Sequence, residues 1–460
     1  KKLAVTICED LWNLEDDPLY RICPMDELIK HAPDIMINLS ASPFDYDHDD
    51  ARKVIIRNNV LRYRLPMIYC NSVGAQTEIV FDGGSLVYNA EAELIQELKY
   101  FEEDQTTVYF NEDGTITSND PSSEYSNTSP VADSAVPDTS VRLMNRKSGE
   151  TSSDSITSAT PDKLNPAADL LHFITARENM VQIRQAIVLG IKDYFRKMGF
   201  TKAILGSSGG IDSAVTLVLA CEALGHTNVR AVLMPSSFST NHSVSDAEQL
   251  SLNLQNPYDI IPIAGLFDAF STSLKPVFGD LPFDVAEENL QSRIRGNLLM
   301  AVSNKFGNIL LNTSNKSELA TGYGTLYGDM AGGLSILGDL YKSQVYALAR
   351  LINEEKEIIP NHILIKPPSA ELRPGQKDSD SLPDYDVLDQ ILFLHIEKRL
   401  GPSAITNAGF DEAIVKKTLR LVNNNEYKRK QFAPIIRVSS KAFGAGRRMP
   451  VVGKYLNFNR

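Results

Sequence analysis

Apolar positions along the chain fall into two blocks of short runs and helical stripes, separated by a stretch that shows neither pattern. In the first block, Leu3 to Ile7 reads as a strand and Asp34 to Leu39 as another, short and apolar. Asp50 to Leu65 predicts a helix ended by Pro66, and Met67 to Asn71 a further buried strand. Glu78 to Tyr88 predicts a pair of strands around a turn at Asp82-Gly83-Gly84. In the second block, a helix from about Ala167 to Met198 leads into the apolar run Ala203-Ile204-Leu205. Val229 to Leu233 is the next strand. Phe306 to Asn312 is another, preceded by a helix with Leu290, Ile294 and Leu298 at i, i+4, i+8. Alternating strands and helices predict an α/β fold with a doubly wound parallel sheet, whose ligands bind beyond the strand C-termini.

Between the blocks, residues 111–166 are dense in Ser, Thr, Asp and Pro and poor in large apolar side chains. Such a segment buries too little surface to offset its ordering entropy, which predicts a flexible linker. The expected organisation is therefore residues 1–110, a linker over 111–166, and a second domain over 167–460. A formal net charge of −12 argues against a nucleic-acid partner. No apolar run approaches the roughly 20 residues that span a bilayer, so no membrane partner is expected. Cys8, Cys23, Cys70 and Cys221 are scattered and form no CxxC pair, which points away from structural zinc or a disulfide framework and towards a reducing cytoplasm. The chain opens on Lys1, inside strand-like sequence, and the expectation is that the natural N-terminus lies upstream.

Residues 206–213, GSSGGIDS, carry most of the chemistry. They sit between an apolar run and an apolar-rich segment, a strand–turn–helix pattern. Gly206, Gly209 and Gly210 permit positive φ and close backbone approach. Amides of the turn and first helical turn, around Ile211, then favour an anion, with hydroxyls from Ser207, Ser208 and Ser213. Asp212 repels a phosphate unless a Mg²⁺ bridges the two. The plain alternative is a glycine-rich turn with Asp212 as an N-terminal helix charge. The loop lacks the Gly-Lys-Ser/Thr ending of a Walker A motif; it resembles the loop of the ATP pyrophosphatases, which grip the β,γ-diphosphate of ATP.

Other motifs admit two readings each. Met234-Pro235-Ser236 follows a strand and either reads an adenine edge or is a buried strand stopped by proline. Asn289 and Arg293, in ENLQSRIRG (288–296), either contact a dinucleotide or belong to a solvated helix face. In NTSNKSE (312–318), Thr313 and Ser314 cap a helix with Glu318 in a capping box, or Glu318 joins Asp212 in holding Mg²⁺. Asp329 adds a hard ligand or orients the acceptor, and Lys342 supplies a charge for the α-phosphate or the departing diphosphate. The Pro-rich stretch from Lys366 is a surface connection or a lid. The basic C-terminal residues, among them Lys428, Arg429, Arg437, Arg447 and Lys454, form a solvated face, a dimer rim or a site for an anionic dinucleotide.

Taken in order, SGGIDS, MPS, ENLQSRIRG, TSNKSE, GYGTLYGDMAGG, KPPSAELRP and SSKAFGAGRRMP closely resemble the NAD synthetase family over residues 167–460. The resemblance implies a Rossmann-like domain of the adenine nucleotide α-hydrolase type. It implies that MgATP adenylates the carboxylate of deamido-NAD, and that ammonia then displaces AMP. It assigns residues 206–213, Met234 and Thr313 to ATP, and Asp212 and Glu318 to Mg²⁺. Asn289, Arg293, Glu318, Asp329 and Lys428 are assigned to deamido-NAD, with Lys342 catalytic. A homodimer or larger homo-oligomer is expected from the family alone.

In the first block, ICEDLW (7–12), NLSASPF (38–44) and GAQTEIVFDGGS (74–85) resemble the nitrilase-like glutaminase domain of the glutamine-dependent members of that family. A lone Cys after an apolar strand is more often a small buried residue. The resemblance makes Cys8 the nucleophile, Glu9 and Ser42 glutamine contacts, and residues 1–110 the C-terminal part of an α/β/β/α domain. The family's Glu base and Lys precede the Cys by many residues, and only seven precede Cys8 here. The expectation is amide formation from ammonium but not from glutamine. Asp47-His48 stands where the family tends to carry Gly-Lys. Two other readings are a GMP synthetase-like amidotransferase and a non-catalytic nucleotide-binding regulator. The first lacks the Cys8 segment and the TSNKSE/YGDMAGG pair; the second fits poorly with Asp212, Glu318 and Asp329 all present.

Overall fold

The computed structural model describes residues 1–14, 20–46, 49–118 and 166–453. Most of the expected linker, Asp47-His48 and Lys454 lie outside the described residues. The first domain is built on strands β1 (Leu3–Ile7), β2 (Ile35–Ser40) and β3 (Met67–Asn71), which run parallel, with helices α1 (Pro24–Leu28) and α2 (Asp49–Tyr63) on one face. That face carries Ala4, Met36, Met67, Tyr69 and Leu86 into one core. The Glu78–Tyr88 region holds two strands, β5 (Ile79–Asp82) and β6 (Leu86–Tyr88), but they do not pair with each other. β5 pairs with β4 (Val73–Gln76), while β6 runs antiparallel between β3 and β7 (Leu94–Glu97). Gly83 and Gly84, both at positive φ, let the chain leave one sheet and enter the other. A small hairpin of β8 (Tyr109–Phe110) and β9 (Ile116–Thr117) straddles position 110, with Ile116 buried against Ile35 and Val87.

The expected single helix over 167–198 is two, α3 (Pro166–Ile174) and α4 (Arg177–Met198), with Ala176 extended between them. The break lets the two helices serve different cores. Ile174 packs with Tyr341 and Phe393, whereas Ile183, Ile187 and Ile191 pack with the β10 side of the sheet. That sheet is wholly parallel, in the order β12–β11–β10–β13–β14, where β10 is Ala203–Gly206, β11 Val229–Leu233, β12 Tyr258–Ile260, β13 Ile309–Asn312 and β14 Leu334–Ser335. Phe306 is therefore the end of a helix rather than the start of β13. Winding reverses between β10 and β13, which opens a crevice at their C-terminal ends. Helix α5 (Ile211–Leu224) is apolar on almost every side and is buried nearly throughout. Helices α6 (Asn241–Leu254), α7 (Ala264–Phe278), α8 (Val285–Phe306), α9 (Lys316–Thr321) and α10 (Lys342–Ile352) complete the layers.

The two domains share a core. Phe44, Tyr46, Ala75, Val80 and Phe101 of the first pack with α4 and the second sheet. The β4–β5 hairpin sits on α4, where the Ala75 amide donates to Asp193 Oδ2 at 2.8 Å and Lys197 Nζ donates to the Ala75 carbonyl. The Tyr46 amide donates to the Val438 carbonyl at 3.1 Å.

Candidate active site

The crevice at the switch point is a cavity lined by the 206–213 loop, the end of β11, residues of α8, the segment after β13, Lys342, and the stretch from Lys366 to Leu372. The loop is locally determined. The Ser207 amide donates to the Val232 carbonyl at 2.9 Å, and Gly210 forms the N-cap of α5 with extended backbone. Of the three glycines expected at positive φ, only Gly209 adopts it, at 75°. A Cβ there would lie 2.1 Å from the Ser243 carbonyl oxygen, so α6 backs directly onto the loop. Gly209 is the one loop residue outside the cavity lining. Ser213 Oγ donates to the Gly210 carbonyl, and Ser208 Oγ accepts from the Gly210 amide, so these hydroxyls brace the turn. Ser207 Oγ is buried and has no protein partner.

Asp212, Glu318 and Lys342 converge although 106 to 130 residues separate Asp212 from the others. Lys342 Nζ lies 2.5 Å from Asp212 Oδ2 and 3.8 Å from Glu318 Oε1. Asn315 Nδ2 donates to Asp212 Oδ1 at 2.9 Å. Burial alone would lower the Lys342 pKa, but Asp212 and Glu318 outweigh it and hold the ammonium above the ordinary lysine range. Burial, reinforced by the Asp212 charge, raises Glu318 well above the ordinary carboxylate range. The helix after β13 is capped not by Thr313 or Ser314 but by Asn315, whose Oδ1 accepts from the Glu318 amide at 2.9 Å. Glu318 Oε2 returns the bond to the Asn315 amide at 3.2 Å. The capping box and the cavity-facing carboxylate are thus one residue, because Oε1 is left to face Lys342.

Met234 and Thr313 line the cavity, as does Asp329. Asp329 Oδ1 accepts from the Thr325 amide at 2.6 Å, and burial raises its pKa. Asn289, Arg293 and Lys428 lie outside the lining. Asn289 Oδ1 accepts from Thr325 Oγ1 at 2.6 Å, and Lys428 Nζ donates to the Gly322 and Gly324 carbonyls at 2.7 and 2.8 Å. Arg293 is exposed and donates to the Leu326 carbonyl at 3.3 Å. All three hold the 322–329 loop that presents Asp329. The basic C-terminal residues are partly internal: Arg429 is buried and caps α9 through the Leu319 and Ala320 carbonyls, 2.9 Å each.

Sequence reasoning passed over several cavity residues. Arg295 lines it, two positions from Arg293 and so on a different helix face. Asp378 also lines it, buried, with Oδ1 unpartnered and Oδ2 accepting from Tyr385 Oη at 2.9 Å. The Lys366 stretch covers one side: Glu371 Oε1 accepts from Ser243 Oγ at 2.5 Å, and Lys366 Nζ donates to that hydroxyl at 2.7 Å.

In the first domain, Cys8 opens a single 3-10 turn at the end of β1 with φ of 48°, a left-handed value rare for a side chain of this kind. It is half-buried and lines an open pocket with Ser40, Ala41, Cys70 and Asn71. Ser42 is buried next to that lining, its amide bonded to Asn71 Oδ1 at 2.9 Å. Glu9 accepts from Tyr20 Oη and is not in the lining.

A wholly parallel sheet with this loop at its reversal, and carboxylates facing it across the crevice, defines the ATP pyrophosphatase class. Residues 183–432 match the family model of NAD synthase. The chain is 43% identical over 453 residues to a glutamine-dependent NAD(+) synthetase of Synechocystis sp., covering 98% of this chain and 72% of that one. It is 43% identical to the Thermotoga maritima protein of the same name, covering 99% of this chain and 75% of that one. Among solved structures, a glutamine-dependent NAD+ synthetase from Acinetobacter baumannii in complex with ADP superposes with a TM-score of 0.63 at 34% identity, covering 99% of this chain and 73% of that one. The chain belongs to the glutamine-dependent NAD(+) synthetase family.

Proposed function

We propose that the chain amidates deamido-NAD to NAD at the expense of ATP, through an adenylated carboxylate. The observation that carries this reading is the meeting of Asp212, Glu318 and Lys342 beside a diphosphate-type loop. The diphosphate of ATP lies against the amides of residues 207–213, with Ser207 Oγ a spare donor and Thr313 and Met234 alongside. Mg²⁺ fits this donor set: two carboxylates supply hard oxygen ligands, and the remaining positions suit phosphate oxygens and water. Among the described residues no group of three or more acidic, His or Cys side chains is placed to hold a metal ion. When bound, the ion neutralises charge on the transferring phosphate.

The nicotinate carboxylate attacks the α-phosphorus; its C–O–P bond forms as the bond to the β-phosphate oxygen breaks and diphosphate leaves. Lys342, kept charged by its two carboxylates, faces the departing charge. Ammonia then adds to the acyl carbon, AMP departs with the C–O electron pair, and the nitrogen loses a proton. Activation is required because hydroxide is a poor leaving group. Asp329, on the loop secured by Asn289 and Lys428 with Arg293 beside it, faces deamido-NAD. Cys8, with Ser42 and Glu9 nearby, is the nucleophile of a glutaminase centre whose Glu base and Lys the resemblance places on other segments, and its left-handed φ supports that role.

The assembly is proposed to be a homodimer or larger. Helix α7 has no fully buried residue and exposes Leu266, Phe270 and Val277, next to exposed Leu281, Phe283 and Val285. The four unpaired cysteines support a reducing cytosol. No helix among the described residues is long and apolar enough to cross a membrane. The test is product stoichiometry with deamido-NAD, MgATP and ammonium: NAD, AMP and diphosphate in equal amounts are expected, and ADP with phosphate would overturn the mechanism.

A further inference from the structure

We propose that Arg295 grips the α-phosphoryl group of the nucleotide, the group on which the reaction turns. The inference rests on the cavity being the ATP site. Arg295 projects from α8 into the cavity lining. Its Nε donates to the Met234 main-chain carbonyl at 3.1 Å, which fixes the plane of the guanidinium. Among the described residues it makes no ion pair within 4 Å. Asp329 and Glu371 act on it only from farther away, and burial pulls its pKa down to about 10.

Arg295 is half-buried, and the two fully buried arginines of the described residues are each paired with a carboxylate. Arg52 grips both oxygens of Asp82 at 2.9 and 2.7 Å, and Arg429 meets Glu426 at 2.9 Å. A guanidinium withdrawn from water without a carboxylate partner is costly, and the cost is recovered when an anion arrives. An arginine fork suits phosphate oxygens in particular.

Position selects which phosphate. Met234, the anchor of Arg295, is the first residue after β11, where the nucleoside edge is expected. A Cβ on Gly206 would lie 3.2 Å from the Met234 side chain, so the same residue also touches the start of the diphosphate loop. Arg295 is therefore tethered where these two parts of the site meet. In ATP, covalent connectivity puts only the α-phosphoryl between nucleoside and diphosphate. Negative charge builds on its oxygens as the carboxylate attacks, and a fixed fork stabilises that charge. Arg293, two residues earlier, faces away and cannot substitute.

The experiment is calorimetric binding of AMP, adenosine, diphosphate and deamido-NAD, each separately, to the full chain and to its Arg295→Gln and Arg295→Lys variants. AMP and adenosine differ only by the phosphoryl group in question. Arg295→Gln is expected to weaken AMP by roughly tenfold or more, with adenosine and diphosphate within about twofold. Arg295→Lys, which keeps the charge and loses the fork, is expected to fall between. Should the Gln variant not fold, the Lys variant alone must still separate AMP from adenosine. Unchanged AMP affinity, or a parallel loss of adenosine, overturns the inference. A loss confined to deamido-NAD also overturns it, by assigning the anion to the other substrate. If the unaltered chain binds neither AMP nor diphosphate, it is the ATP-site reading that fails instead.

Discussion

Replacing Lys316 by Met tests whether a buried charge cluster holds the acidic helix of the site in place. Lys316 begins α9, two residues before Glu318, and is fully enclosed. Its Nζ lies 2.9 Å from Asp339 Oδ1, 2.9 Å from Glu397 Oε1 and 2.8 Å from Ser439 Oγ, and 4.7 Å above the Tyr341 ring. Asp339 keeps other donors, the amides of Val438 and Ser439 at 2.8 and 2.7 Å. Glu397 keeps long contacts from Tyr46 Oη and Ser440 Oγ, both 3.4 Å, with the Tyr341 hydroxyl nearby. Methionine fills the space but leaves two enclosed carboxylates without their cation, a loss of about 3–5 kcal/mol. For a domain of this size that lowers the melting temperature by about 6–20 °C. The deficit must depend on pH. Burial already raises Glu397, and Lys316 opposes the rise. Without the lysine its folded pKa climbs further above the unfolded value of about 4.3. The native state then holds a proton that the unfolded chain has lost, so stability falls as pH rises. Calorimetric scans of both proteins at about pH 5.5 and 8 check this. A variant that melts within about 2 °C of the unaltered chain, or with the same deficit at both pH values, refutes the reasoning.

Four further outcomes are expected. Asp212→Asn and Glu318→Gln each lower ammonium-driven amidation by roughly a hundredfold or more and raise the Mg²⁺ concentration for half-maximal rate, with unchanged circular dichroism. Gly209→Ala costs about 1–2 kcal/mol from its φ of 75° alone, and the clash with the Ser243 carbonyl displaces α6, read as lost ATP binding with retained secondary structure. Ammonium is expected to support turnover of this chain and glutamine is not, with Cys8→Ala leaving the ammonium-driven rate unchanged; NAD formation with each amine donor checks both. Asp389, enclosed beside Ser317 and Ser343, is pushed up to about 6 by burial. Its contribution is fully present below its unfolded value of about 3.9 and is lost as pH rises through 6, about 3 kcal/mol in all. Asp389→Asn should therefore flatten the stability–pH profile between about pH 4 and 7, followed by urea midpoints.

Local sequence carried the parts of the site that depend on one turn of chain. The strand–loop–helix around Gly206–Ser213 was readable because small residues, hydroxyls and an apolar flank all point to one geometry. Strands β1, β3 and β11 were readable because parallel strands are continuous apolar runs. What was not readable depends on distant partners. Lys316 carries no mark of burial in TSNKSE; only Asp339 and Glu397, brought in by folding, make it internal. Arg293 and Arg295 look alike in ENLQSRIRG, and the choice between them needs the pose of α8. The 78–88 strands were legible but their partners were not, since Gly83 and Gly84 allow either a hairpin or a change of sheet. The single helix over 167–198 failed at Thr175-Ala176, where no Pro or Gly announces a break and two separate cores decide it.

The seat of the β4–β5 hairpin on α4 has a consequence for how the halves cooperate. Because side chains of both halves interleave in one apolar interior, the spacing between the Cys8 pocket and the nucleotide crevice is set by packing and by the Asp193 carboxylate, not by the peptide that joins them. Asp193, beneath Ala75, is one of the few polar groups that fix that spacing.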